Sequence, residues 1–383
     1  MNDTRIDRLA DVLVNYSVRV KRDDLVRISA SNVSLPLVRA LYREVLRAGG
    51  HPLLRLRDDQ CADLFYALAR DRQLKYVSPL LKAEVESIDC SIGVWADENT
   101  KTMTRVDPRK QTMVSQAQKP IWDLFMKRAA AKGKKQLRWC GTQYPCPAAA
   151  QDAEMSVAQY ADFVFRAGLL HHKDPAAQWR KISIRQQRLC DFLNKRREMR
   201  IKTLQGTDIR FGIAGRKWIN CDGQVNFPDG EVFTGPLENA TEGVVCFSFP
   251  AVHGGREVHD IRLQFKAGKV VDASASKGED FLIKMLDQDA GARVLGELAI
   301  GTNYDVQEYT RNTLFDEKIG GTFHAAVGAS YPETGAKNKS GLHWDMVCDL
   351  RKGGVIEADG KVILRNGRFV NTAWPKPERG RGT

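Results

Sequence analysis

The sequence predicts a two-domain chain: an α/β first half built on a parallel sheet with helices, and an α+β, mostly antiparallel second half. Three observations predict it. Strand-like and helix-like stretches alternate through residue 197, the pattern that strand–helix–strand units produce. After Arg200 helical spacing gives way to short β-prone runs separated by turn dipeptides. A chain of 383 residues, 43% of them hydrophobic, is long enough for about two cores.

Taken in order, Ile6, Leu9, Val12, Leu13 and Tyr16 fall at helical spacing behind a candidate N-cap at Asp3 or Thr4. Residues 24–29 read as a strand. Residues 35–48 read as a helix whose stripe is Leu37, Leu41, Val45 and Leu46, stopped by Gly49-Gly50. A strand at 52–56, a helix at 59–72 and a strand at 89–96 follow. The next helix is expected at 120–131, with Pro120 in its first turn, before a strand at 136–140. Helices at 156–167 and 176–197 close the first half. No Gly-rich phosphate loop follows any of these strands, so a dinucleotide site is not supported. In the second half Asp222-Gly223, Ala267-Gly268 and Asp359-Gly360 read as hairpin turns, and 280–286 as a helix. The expected domains are 1–197 and 198–373, followed by a loose basic tail at 374–383.

Composition narrows the function. Fifty-nine Lys and Arg against 47 Asp and Glu give a net charge of +12. The basic stretches at 127–138, 195–202 and 376–381 read as solvated helix faces and a frayed terminus. No helix–turn–helix, finger or aromatic ribonucleoprotein signature accompanies them, so a nucleic-acid partner is not expected. The longest apolar run, near 244–252, is about half a membrane span. The opening residues carry no secretory signal, and a soluble cytoplasmic protein is expected. The eight cysteines form no CxxC pair, which argues against a structural zinc site.

The chemistry concentrates in the second half. His51, His171, His172, His253 and His259 lie in connectors or loops and read as surface residues. His324 and His343 differ. Residues 341–347 read as a strand, which puts His343 and Asp345 on one face. An imidazole beside a carboxylate is a ligand pair for a borderline divalent metal, although a hydrogen-bonded His–Asp pair gives the same pattern. The neighbourhood adds weight. His324 follows a flexible glycine pair, Gly320-Gly321, and both Glu231 and Glu297 sit in apolar runs, where an unpartnered carboxylate is expensive to bury. Glu231, Glu297, His324, His343 and Asp345 are the right inventory for two divalent ions sharing a carboxylate.

The segments GEVFTGP, GELAIGTN, LFDEKIGGTFH and NKSGLHWDM resemble the aminopeptidase T family of metallo-aminopeptidases, peptidase family M29. A weaker resemblance begins at RIDRLADVLVNYSVRVKRDDLV and runs over nearly the whole chain. It implies a metal-dependent aminopeptidase that hydrolyses the N-terminal residue of peptides through a dinuclear metal-activated water. Its metal-ligand positions fall on Glu231, Glu297, His324, His343 and Asp345, and its active-site tyrosine on Tyr331. It further implies two divalent ions (Zn²⁺, Co²⁺ or Mn²⁺), peptide substrates with a free N-terminus, and a homodimer. Tyr331 would donate to the developing oxyanion; without the resemblance it reads as a core aromatic beside Pro332. Glu297 or Glu231 is the candidate general base, Glu317 a weaker one. The Glu317–Lys318 pair reads as an ion pair orienting the loop before His324. Two alternatives stand beside this reading. A mononuclear Fe(II) ring-cleaving dioxygenase of the 2,5-dihydroxypyridine type would use His324, His343 and Asp345 as a facial triad and has no need of both Glu231 and Glu297. A non-catalytic basic nucleic-acid-binding module would show disrupted ligands.

Overall fold

Five helices of the first half start where a side-chain oxygen takes up an orphan backbone N–H. Asp3, Asp58, Ser78, Asp107 and Ser156 each accept such a bond. The computed structural model describes residues 3–377 and gives, in order, α1 (Thr4–Asp11), β1 (Leu25–Ser31), α2 (Leu35–Arg47), β2 (His51–Arg57), α3 (Asp59–Leu68), α4 (Asp71–Leu74), α5 (Pro79–Ser87), β3 (Cys90–Trp95), α6 (Pro108–Ala129), β4 (Arg138–Gln143), α7 (Pro147–Asp152) and α8 (Val157–Ala167). The strands pair in parallel in the order β2-β1-β3-β4. The helix expected at 120–131 begins twelve residues earlier, at Pro108 behind the Asp107 cap, so Pro120 lies inside it. Both prolines carry the same first-turn signal, and the capped one sets the start. The helix expected at 59–72 is broken at Ala69, which is extended, and α5 fills a stretch the sequence reading left unassigned.

The second half continues with α9 (Pro175–Leu193), β5 (Glu198–Lys202), β6 (Asp208–Gly212), β7 (Ile219–Cys221), β8 (Asn226–Phe227), β9 (Glu231–Thr234), β10 (Thr241–Cys246), β11 (Ala251–His253), β12 (Arg256–Val258), β13 (Arg262–Lys266) and β14 (Lys269–Ser274). Then come α10 (Glu279–Leu286), β15 (Leu295–Gly301), α11 (Thr313–Asp316), β16 (Thr322–Gly328), β17 (His343–Asp349), β18 (Val355–Ala358), β19 (Lys361–Arg365) and β20 (Arg368–Phe369). Eight of these strands form one antiparallel sheet, β14-β13-β10-β6-β5-β18-β19-β20, and five form another, β17-β16-β15-β9-β7. One core joins the two sheets, with Ile201, Phe211 and Leu263 from the first and Leu298, Phe323 and Met346 from the second.

Contacts divide the chain into two compact units, 1–176 with 223–228, and 177–222 with 229 onward. The division expected at 197/198 therefore falls elsewhere. Most of α9 goes with the second unit because Leu189, Cys190 and Leu193 are buried in its core. Residues 223–228 return to the first unit, where β8 adds a fifth parallel strand beside β4. Asp222-Gly223 is consequently no hairpin turn. Trp374, expected in the loose tail, is buried, its ring 4.8 Å from Phe192 and 6.0 Å from Phe369. The last residues of that tail, 378–383, lie outside the described residues.

Candidate metal centre

Register places the site. In the five-stranded sheet, paired residues share a face, and so do residues two apart. Gly301 pairs with Glu231, and Ala299 pairs with both Phe233 and His324. Glu297 pairs with Ala326, which pairs in turn with Asp345, and Gly328 pairs with His343. Glu231, Glu297, His324, His343 and Asp345 therefore all project from one face. The opposite face carries Val232, Leu298, Ile300, Phe323, Trp344 and Met346 into the core. Across the ladder their partners are small, Gly301 and Cys221 beside Glu231, Ala326 beside Glu297 and Asp345, Ala299 and Val347 beside His324, and Gly328 beside His343, which leaves room between the strands' polar groups.

One irregularity is needed for this. The β15–β16 register shifts between Leu295 and Glu297, where Gly296 is the extra residue of a bulge. Leu295 thus points into the core while Glu297, two residues on, points to the site. A Cβ on Gly296 would sit 2.0 Å from the Ala329 carbonyl oxygen. We expect Gly296→Ala to destabilise the fold by about 1–3 kcal/mol, as overpacking does, and to lower bound metal by turning Glu297 aside. A melt and an elemental analysis both matching the parent would refute this. The glycine pair before His324 is also packed rather than flexible. Gly321 has φ +90°, and a Cβ there would meet the Gly367 carbonyl oxygen at 2.7 Å.

The polar atoms stand at ion-pair distance without hydrogen-bond geometry. His324 Nε2 lies 3.3 Å from Glu231 Oε2 and 3.4 Å from Glu297 Oε1. His343 Nε2 lies 3.4 Å from Glu297 Oε2 and 3.5 Å from Asp345 Oδ2. Both nitrogens of His324, Glu231 Oε2 and Asp345 Oδ1 are buried without a hydrogen-bond partner, an arrangement that is costly unless something else satisfies them. Two ligand atoms about 2.1 Å from one tetrahedral ion stand about 3.4 Å apart, so these gaps fit a divalent cation. Among the described residues four sets of three ligand-type groups lie here: Glu231–Glu297–His324 and Glu297–His343–Asp345, which share Glu297, with Glu317–His324–Asp345 and Cys221–Asp229–Glu231 beside them. The Ala329 carbonyl accepts a 2.8 Å hydrogen bond from His343 Nδ1, and since a carbonyl only accepts, Nδ1 carries a proton and Nε2 is the nitrogen that faces the site.

Charge follows from the same geometry. Burial works to lower the His324 pKa, yet Glu297 and Glu231 lift it to about 9. Against the same burial, Asp345 and Glu297 lift His343 to about 11. Burial would raise Asp345, but His343 pulls it down to about 2. Burial pushes Glu317 up to about 8, opposed by Lys318. The site attracts positive charge strongly.

Tyr331 stands at the rim, 41% exposed. Its ring meets His343 edge-on at 5.2 Å and Phe233 at 5.3 Å, so it is not the buried core aromatic that its neighbour Pro332 suggested. Burial of the phenol and the nearby Glu297 and Asp345 raise its pKa. Lys318 contacts Glu317, as its position in sequence suggested. It also reaches Glu231 Oε1 at 2.9 Å and Asp229 Oδ1 at 3.9 Å. Sequence reasoning missed Asp229 and Cys221. It also missed Gln186, fully buried on α9, whose amide donates to the Cys221 and Glu231 carbonyls. A buried glutamine opposite two strand carbonyls leaves no local pattern to read. Among the described residues none of the other five histidines belongs to a metal-type cluster.

A sheet face carrying two groups of metal-ligand type that share a carboxylate fits the class of metal-dependent hydrolases. The profile of the thermophilic metalloprotease (M29) family matches residues 2–369, and the chain belongs to that family. It is a metal-dependent aminopeptidase, and its substrates are peptides. Aminopeptidase 2 of Geobacillus stearothermophilus is 26% identical over 413 residues, covering 96% of this chain and 98% of the relative. Aminopeptidase T of Thermus aquaticus is 31% identical over 249 residues, 57% of this chain and 60% of the relative. The structure of AmpT from Thermus thermophilus superposes with a TM-score of 0.83 at 24% identity, covering 96% of this chain and 99% of that one. A 2,5-dihydroxypyridine dioxygenase from Pseudomonas putida KT2440 has the same fold at lower similarity, TM-score 0.60 and 14% identity over 95% and 96% of the two chains. Among the described residues no helix is long and apolar enough to cross a membrane.

Proposed function

We propose that the enzyme removes N-terminal residues from peptides with two divalent ions, held by Glu231, Glu297 and His324 on one side and by Glu297, His343 and Asp345 on the other. The observation that carries this reading is Glu297, whose two oxygens face two different histidines at 3.4 Å. When bound, such a pair of ions lowers the pKa of a shared water to near neutral and polarises the scissile carbonyl. The chain's own groups do the rest. Glu297, buried in the centre, is lowered in pKa by His324 and His343 despite its burial, so it stays ionised. Tyr331 at the rim donates its hydroxyl to the oxygen that gains charge on the substrate carbonyl. Ala329 and Lys318 orient His343 and Glu231. Zn²⁺, Co²⁺ or Mn²⁺ is the expected metal, the homodimer that the resemblance implies and the cytoplasmic setting expected from the sequence belong to this reading, and nucleic acid is no partner in it.

A single-iron reading on the same fold would occupy His324, His343 and Asp345. It leaves Glu231 and Glu297 buried and without a role, and Glu231 Oε2 aimed at His324. We expect a chelator to abolish cleavage of aminoacyl-nitroanilides, and Zn²⁺, Co²⁺ or Mn²⁺ to restore it at up to two ions per chain. N-acetylated substrates should not be cleaved. One tightly held iron, with oxygen consumed on a dihydroxypyridine, would overturn the reading.

A further inference from the structure

Beside the proposed ligands lies a further group of metal-ligand type, Cys221, Asp229 and Glu231, whose ligand atoms lie within 4.8 Å of one another. Cys221 on β7 pairs with Glu231 on β9, and Asp229 precedes Glu231 by two residues. A thiol with two carboxylates suits Zn²⁺ or Co²⁺. An ammonium group already stands there. Lys318 Nζ is 2.9 Å from Glu231 Oε1 and 3.9 Å from Asp229 Oδ1, and it also contacts Glu317.

We infer that Lys318 is a positioning residue that reserves one oxygen of Glu231 and fills the place a third cation would take among Cys221, Asp229 and Glu231. The inference rests on the two-ion reading above. Several facts converge on it. The Lys318 side chain is 1% exposed, so its position is set by packing rather than by solvent. Its backbone is pinned on both sides, with N–H donating to Phe315 at 2.9 Å and C=O accepting from Asn303 at 3.1 Å. One ammonium faces three carboxylates, donating hydrogen bonds to Glu231 and Glu317 with Asp229 at ion-pair distance. Glu231 is thereby divided: Oε1 belongs to Lys318, while Oε2 has no hydrogen-bond partner and faces His324 at 3.3 Å. A lysine that only balanced charge would leave the division of Glu231 and the number of bound ions indifferent to its loss.

The test counts ions. Full-length parent and Lys318→Met chains are stripped of metal, loaded with excess Co²⁺ and dialysed. Ions per chain are measured by elemental analysis, and near-ultraviolet absorption reports cobalt–thiolate bonding. The parent should show no thiolate band. Lys318→Met should hold one more ion per chain and show the band, and Lys318→Met with Cys221→Ser should lose both gains. An unchanged count without a band in Lys318→Met overturns the inference, as does a thiolate band in the parent. Should Lys318→Met fail to fold by circular dichroism, Cys221→Ser in the otherwise intact chain decides. Its Co²⁺ count should match the parent, and loss of a whole ion would overturn the inference. Failure of the two-ion reading looks different: the intact chain itself would then hold no Co²⁺ sensitive to His324→Ala.

Discussion

His343→Ala and Asp345→Ala should each abolish turnover while leaving the fold in place. Both side chains project from the site face of β17, opposite Gly328 and Ala326, and neither belongs to the core on the reverse face. Removing either breaks the same triad with Glu297. Metal-assisted stabilisation of the reacting carbonyl is worth several kcal/mol, and about 4 kcal/mol corresponds to about 10³-fold in rate. A drop in kcat/KM of at least about that size is expected for each, and the double variant should be little worse, since groups that act as a unit are not additive. Stability gives a second readout. Saturating metal at about 100 Kd stabilises a site by about 2.7 kcal/mol, and that metal-dependent rise in Tm should shrink in both variants. In the metal-free state near neutral pH Asp345→Ala should melt lower than the parent, because His343 holds the Asp345 carboxyl down at about 2 and the substitution breaks that favourable pair. Near-full activity in either variant would remove the HWD segment from the site.

How much of this was legible in the sequence depends on how local each feature is. Period-two counting alone put His343 and Asp345 on one face, and the strand does so. Ala267-Gly268 and Asp359-Gly360 turn real hairpins, with φ of 47° and 80° in the first and 47° and 74° in the second. Asn366-Gly367, at 49° and 70°, carries the same signal and makes the β19–β20 turn, although it was not read. Asp222-Gly223 carries it too and fails, because the strand after it pairs with β4 and not with β7. No local pattern announces a partner 85 residues away in sequence, as Gly141 is from Asn226 (226 − 141 = 85). The same limit applies at the site. Counting by twos sets Leu295 and Glu297 on one face, and only the bulge at Gly296 separates them. Glu231 was marked by its apolar surroundings as a carboxylate in need of a partner, but the partner at Oε1, Lys318, lies 87 residues further on.

Tyr331→Phe separates a hydroxyl from a ring. The ring packs edge-on against His343 at 5.2 Å and against Phe233 at 5.3 Å, contacts that phenylalanine keeps. Its backbone carbonyl accepts from the Thr334 hydroxyl at 2.6 Å and holds the turn, which the substitution does not touch. The proposed metal ligands are left whole, so ion content should equal the parent's. What the proposed reading loses is one donor to the oxygen that becomes negative during hydrolysis. Losing one such donor lowers kcat by about 10²–10³-fold, or ~2.7–4 kcal/mol. KM should change little, since the interaction strengthens only as charge develops. A tyrosine that merely packs over His343 would give a variant with parental kcat. Steady-state kinetics with a metal assay on the same preparation therefore decides the role of Tyr331: a collapsed kcat with full metal places the hydroxyl at the reacting carbonyl, and a parental kcat with full metal reduces the residue to packing.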